Sequence, residues 1–87
     1  MTLASAWRLA RFRQNEVLRG LTEGFPGPFG FRCECADPRC REVVLVEAGD
    51  VDAVRPNPRR LVMANGHESD RERIVLAYNG YVIAELG

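Results

Sequence analysis

The chain has 87 residues and a mass of 9.8 kDa, with 12 basic and 12 acidic side chains and a formal net charge of zero. Hydrophobic residues make up 46% of the sequence and charged residues 28%, which is typical of a globular domain. These values argue against a multidomain enzyme and against general electrostatic binding of nucleic acid, and the longest aliphatic run, positions 43–46, is far too short to span a membrane.

The N-terminal segment is predicted to be an amphipathic helix over residues 2–21, ending near Gly20 or Gly24. Its apolar residues follow helical spacing and are Leu3, Trp7, Ala10, Val17 and Leu21. The glycines and prolines of residues 24–28 then predict a hinge. We therefore divide the chain into a helix (1–23), a hinge (24–28) and a small β-rich domain (29–87).

The β-rich part is predicted to contain strands at positions 29–35, 41–47, 60–64, 73–78 and 81–86, with a short helix at 49–55. The run at 41–47 is rich in β-branched residues, so we expect burial on both of its faces. Asn79-Gly80 lies between two alternating apolar runs and predicts a hairpin with a type I′ turn. The predicted fold class is α+β, with an N-terminal helix followed by a small antiparallel sheet.

A metal site is indicated by the chain's three cysteines and its single histidine. Cys33, Cys35 and Cys40 have C-x-C-x4-C spacing, and His67 follows a glycine that allows a tight turn. On an extended strand Cys33 and Cys35 project to the same face, so both sulfurs can reach one metal ion. Three cysteines and one histidine complete the ligand set of a tetrahedral structural zinc, so we predict one Zn²⁺ per chain.

Three further interpretations of these residues stay open at the level of sequence. The cysteines could be core thiols beside an unrelated histidine, or the four residues could bind an iron–sulfur cluster. A catalytic zinc would need a metal-bound water, with Glu34 or Glu68 as a base, and four donors of structural type argue against it. The odd cysteine count argues against a disulfide framework and favours a cytoplasmic location.

Arginines stand next to the cysteines in the sequence. Arg32, Arg39 and Arg41 would favour the thiolate form of the neighbouring cysteines, and we predict that they donate hydrogen bonds around the metal. Three thiolates, a neutral imidazole and Zn²⁺ would carry a net charge of −1, which these guanidinium groups would offset.

Three segments together resemble a family of short, uncharacterised bacterial proteins. They are residues 33–40, which contain the CEC-x4-C pattern, residues 54–60, and residues 64–68, which end in Gly-His-Glu. Asn15-Glu16 matches an Asn-Glu pair in the family's first helix, whereas Asp52-Ala53 departs from the expected acidic-aromatic pair. The resemblance implies zinc binding by Cys33, Cys35, Cys40 and His67, and it implies no particular activity.

The predicted helix is basic, which raises two functional hypotheses. The first is a non-enzymatic protein-interaction or regulatory module that contacts a protein partner, or a second copy of itself, through this helix. The second is a nucleic-acid-binding zinc protein. The residues predicted to make either contact are Trp7, Arg8, Arg11 and Arg19. Neither a membrane partner nor catalysis is expected, because no catalytic constellation can be assembled from the sequence.

Overall fold

The computed structural model describes residues 6–47, 49–50 and 59–87. Helix α1 spans Ala6–Thr22, and the strands that follow in this part of the chain are β1 Phe29–Arg32, β2 Val43–Val46, β3 Arg60–Ala64, β4 Glu72–Tyr78 and β5 Tyr81–Leu86. The predicted α+β fold is confirmed. Leu3 and most of the helix predicted at 49–55 lie outside the described residues. Of the helices that are described, none combines the length and apolar character needed to cross a bilayer.

The strands form two antiparallel sheets. β1 pairs with β2, and β5 lies between β3 and β4 in a three-stranded sheet. β1 ends earlier than predicted because the chain changes partner there. The Cys33 N–H bonds to the carbonyl of Glu42 beside β2, whereas the Glu34 N–H bonds to the carbonyl of Val62 in β3. The CEC segment therefore joins the two sheets.

The core has two halves, one on each face of β3 and β5. The first half contains buried residues from both sheets, namely Phe31, Val44, Val46, Val62, Tyr81 and Ile83. The second half contains the first two cysteines together with Leu61, Met63, Val82, Ala84 and Leu86. The cysteine segment thus covers one face of the larger sheet, so the apolar core and the candidate site share residues.

Burial on both faces was expected for the run at 41–47, and this prediction is wrong. In β2 only Val44 and Val46 are buried, whereas Val43 and Leu45 are exposed. Among the described strands β2 pairs with β1 alone, and one of its faces is open to solvent although the run is apolar throughout. The strands that are buried on both faces are β3 and the central strand β5.

The predicted hairpin is present, but its turn is not type I′. Tyr78 pairs with Tyr81 across the two-residue loop, and Gly80 has φ +96°. A type I′ turn requires positive φ at both central residues, and Asn79 does not have it. Positive φ at the second central residue alone is the pattern of a type II turn, which explains why glycine is needed at position 80.

Helix α1 packs against the rest of the molecule mainly through polar side chains, although half-buried Phe12 and Leu18 also contact the core. Arg8, Arg11 and Asn15 are its buried residues, and their i, i+3, i+7 spacing places them on one face. Trp7, Val17 and Leu21, which belong to the predicted apolar stripe, are instead exposed. The helix is therefore amphipathic, as predicted, with the opposite orientation to that of an ordinary surface helix.

An ion pair connects the start of α1 to the start of β4. The Arg8 guanidinium Nη2 lies 2.8 Å from Glu72 Oε1, and both side chains are almost fully buried. Burial alone would raise the pKa of Glu72, but hydrogen bonds from Ser69 and Arg8 outweigh it and hold that pKa below its ordinary value. Glu72 therefore stays ionised at neutral pH and pairs with Arg8.

Candidate metal centre

The four predicted metal ligands come together from three places in the chain. Cys33 and Cys35 follow β1, Cys40 follows a turn in which the Cys40 N–H bonds to the carbonyl of Asp37, and His67 follows β3. His67 is positioned by a tight turn whose N–H to carbonyl bond joins His67 to Ala64. Gly66 has φ +83° within that turn, a conformation that favours glycine.

The distances between the ligand atoms suit one metal ion. All four atoms lie within 4.8 Å of one another. His67 Nδ1 lies 3.5 Å from the sulfur of Cys33 and 3.5 Å from that of Cys40. With bonds of about 2.3 Å to sulfur and about 2.0 Å to nitrogen, a tetrahedral zinc sets sulfur and nitrogen about 3.5 Å apart. These residues could therefore hold a metal ion.

The protein supports the sulfur of Cys33 with a backbone donor. The Ala64 N–H lies 3.2 Å from Cys33 Sγ, as expected for a hydrogen bond to a thiolate ligand. Without a metal, burial raises the pKa of the Cys33 thiol to about 12, although the backbone hydrogen bond from Ala64 opposes this rise. Metal binding must therefore release the Cys33 proton.

Arg11 holds the cysteine loop from the helix. Its guanidinium donates to the carbonyl oxygens of Cys35, Asp37, Pro38 and Cys40 at 2.9–3.2 Å. It also lies 4.0 Å from the sulfur of Cys35. A planar guanidinium with five N–H donors can bind several carbonyls at once, which a lysine ammonium cannot do with the same geometry. One side chain thus fixes most of the loop between Cys35 and Cys40.

Glu34 lies between the first two cysteines and is completely buried. Its Oε1 accepts the Val62 N–H at 2.8 Å, and its Oε2 accepts the Asn15 amide at 2.9 Å. Since the Glu34 N–H also bonds to the carbonyl of Val62, this residue pairs with β3 through both its backbone and its side chain. Both carboxylate oxygens therefore accept hydrogen bonds from the protein and are closed off from solvent.

Asn15 completes the attachment of the helix to the strand that leads into the site. Its amide donates to the carbonyl of Arg32 at 2.8 Å and accepts the Arg32 N–H at 2.9 Å. Arg8 adds a bond from its Nε to the carbonyl of Glu34 at 2.9 Å. The buried side of α1 therefore binds the backbone of residues 32–40 with three polar side chains.

The predicted contact role of Arg8 and Arg11 is wrong. Both are buried and bound to the protein's own backbone, so they are not available to a partner or to nucleic acid. Trp7 is exposed, in agreement with a contact role, and Arg19 lies 3.4 Å from Glu16 in a half-buried ion pair. The two buried arginines of the helix thus donate hydrogen bonds to backbone carbonyl oxygens inside the molecule.

The arginines predicted to surround the metal lie further out. The Arg32 side chain donates to the Gln14 side-chain oxygen, and the Arg39 and Arg41 side chains are exposed. Among the described residues, the guanidinium that approaches a cysteine sulfur within 4.0 Å belongs to Arg11. Sequence neighbours were a poor guide here, because the supporting arginine comes from a helix two dozen residues away.

No family model matches this sequence, and neither a curated protein nor a solved structure is similar to it. The resemblance to short bacterial zinc-binding proteins therefore stays a prediction. The assignment of the four ligands depends on their chemistry and geometry in this molecule.

The burial of Glu34 leads to a prediction. A glutamine at this position would turn an NH₂ group toward either the Val62 N–H or the Asn15 amide, both of which are donors. We expect Glu34→Gln to lower the free energy of unfolding by about 2 kcal/mol, as for an unsatisfied buried donor. A denaturant titration of the metal-loaded variant beside Glu42→Gln, whose side chain is exposed, measures this; equal stability of the two would contradict it.

Proposed function

We propose that this protein is a small structural-zinc protein without catalytic activity, and that its role is to bind another protein chain. The choice of zinc is supported by three sulfur donors and one imidazole whose ligand atoms all lie within 4.8 Å of one another. A non-catalytic role is supported by the same set, because four protein donors fill a tetrahedral shell and leave no position for water or substrate. The buried state of Glu34 is in keeping with this role.

The proposed binding role is supported by the orientation of α1. Because the fully buried residues of the helix are polar, several of its apolar residues face solvent. Val17 is 63% exposed, Leu21 73% and Phe25 62%, and these three residues form what we call the outer patch. Large apolar side chains grouped in this way are typical of protein–protein contacts.

The occupant that we propose for the outer patch is a second copy of the chain. Exposed Arg13 precedes the patch in the sequence, and exposed Glu23 lies between Leu21 and Phe25, just after the end of α1. Two copies with antiparallel helices would bring each Arg13 toward the partner subunit's Glu23, while the apolar side chains meet between them. A two-fold symmetric contact of this kind uses the same patch on both chains.

This proposal predicts that the protein dimerises and that Val17→Asp weakens the dimer about tenfold or more, since it places a charge in the apolar contact. Sedimentation equilibrium of the zinc-loaded protein measures the dissociation constant. Leu45→Asp is the matched control, because Leu45 is 64% exposed but lies on β2, away from the helix. A wild-type protein that stays monomeric at millimolar concentration, or equal effects of the two variants, would reject self-association through this patch.

A further inference from the structure

We propose that the groove between α1 and the cysteine loop binds a ligand that carries both a phosphate and an aromatic base, that is, a nucleotide or a single strand of nucleic acid. The groove has a volume of about 270 Å³ and is lined by Trp7 and Gln14 of the helix, by Arg11, and by Arg32 and Arg41 beside the loop. This site is separate from the outer patch and goes beyond the proposed function.

The groove is positively charged although the whole chain is neutral. Three arginines line it, and none of the residues lining it is acidic. Arg11 is fully used by the loop carbonyls, and its charge offsets the single negative charge of a zinc bound by three thiolates and an imidazole. Arg32 and Arg41 therefore remain as net positive charge, which favours an anionic ligand.

The guanidinium groups of these two arginines can donate hydrogen bonds to an anionic ligand. The Arg41 side chain is exposed and makes no ion pair within the described part of the chain. The Arg32 side chain is half-buried and, within the described residues, donates to the neutral oxygen of Gln14 at a long 3.3 Å. Phosphate oxygens are better acceptors for a guanidinium than an amide oxygen, so a bound phosphate would replace this contact.

Trp7 gives the groove an aromatic wall. Its side chain lines the groove beside the cysteine loop, and the residue is 42% exposed, so an aromatic surface is open to a ligand. Aromatic side chains beside a basic groove stack with nucleobases without selecting one base, and arginine adds attraction to the base. A phosphate on Arg32 and Arg41 and a base against Trp7 would satisfy both features of this groove together.

The test uses Trp7 itself, because it is the only tryptophan in the chain and its fluorescence reports stacking directly. The zinc-loaded protein is titrated with a dodecamer of deoxythymidylate and, separately, with thymidine monophosphate. We expect the dodecamer to quench Trp7. The logarithm of its affinity should fall with the logarithm of the salt concentration with a slope of about −1.4, or about −0.7 per neutralised phosphate.

Charge reversal identifies the site. Arg41→Glu should weaken binding about tenfold or more and reduce the salt slope by about 0.7, whereas Arg71→Glu, at an exposed position far along the chain, should leave both unchanged. Trp7→Ala, assayed by anisotropy of labelled dodecamer, should also weaken binding. Quenching by the monophosphate alone would identify a free nucleotide as the ligand, and quenching only by the dodecamer would identify a single strand. An unquenched Trp7 with both probes, or equal losses for Arg41→Glu and Arg71→Glu, would overturn the proposal.

Discussion

Removal of the metal should abolish the cooperative unfolding transition of this protein. The candidate ligands come from the end of β1, from the loop after it and from the turn after β3, so one metal ion would cross-link both sheets. A chain of this size buries too little apolar surface to be stable by a large margin without such a link. Structural zinc contributes on the order of 10 kcal/mol in small zinc domains, which exceeds the whole stability of many of them.

The measurement is thermal unfolding by circular dichroism, before and after treatment with a chelator, together with the metal content of the purified protein. We expect one colourless zinc per chain and a broad, non-cooperative transition after its removal. Cys40→Ser should behave like the chelated protein, because it removes one thiolate ligand.

His67→Ala and Asn65→Ala form a matched pair in the same turn. His67 contributes a candidate ligand atom, whereas Asn65 is exposed and contributes none. His67→Ala should weaken zinc binding in a chelator competition, and Asn65→Ala should not. An unfolding transition that is identical with and without chelator would contradict the structural role of the metal, and brown absorbance with bound iron would contradict zinc.

The strands of this fold were predictable because their signals are local. β3 and β5 occur at the predicted positions, since short apolar runs and an Asn-Gly turn depend only on neighbours in the sequence. The end of β1 was harder to predict from the sequence. There the chain changes its hydrogen-bonding partner from the Glu42 backbone to that of Val62, and this depends on the relative position of two sheets.

The cluster of four candidate ligands was also predictable, because cysteine and histidine are rare and closely spaced cysteines with one histidine are typical of a metal site. What surrounds them was not. Arg8, Arg11 and Asn15 have a helical spacing that marks one face, but a buried face is expected to be apolar, and the Trp7–Leu21 stripe satisfied that expectation. The stripe was assigned to the interior because a hydrophobicity pattern shows where the apolar residues lie. It does not show which buried backbone carbonyl groups need hydrogen-bond donors.

Arg11→Ala should be the most damaging substitution on the helix. It would leave four carbonyl oxygens of the cysteine loop without their donor. Since hydrogen bonds to a buried charged group are strong, we expect a loss of about 3 kcal/mol in the free energy of unfolding. The zinc affinity should fall between about 10-fold and 100-fold, as is usual when a group that orients metal ligands is removed. Denaturant titration and chelator competition measure the two effects.

Arg13→Ala is the matched control, because Arg13 is exposed and lies two residues further along the same helix. It removes the same charge and the same helix-forming side chain. Its effect on the free energy of unfolding should stay within about 0.5 kcal/mol. All variants are compared at protein concentrations below the dissociation constant of the proposed dimer, so that the proposed contact between Arg13 and the partner subunit's Glu23 does not contribute. Arg11→Lys separates charge from geometry, since a lysine keeps the charge but cannot reach several carbonyls in one plane. We expect Arg11→Lys to bind zinc nearly as weakly as Arg11→Ala. If lysine restored wild-type affinity, the arginine would act through its charge on the thiolates and not by holding the loop.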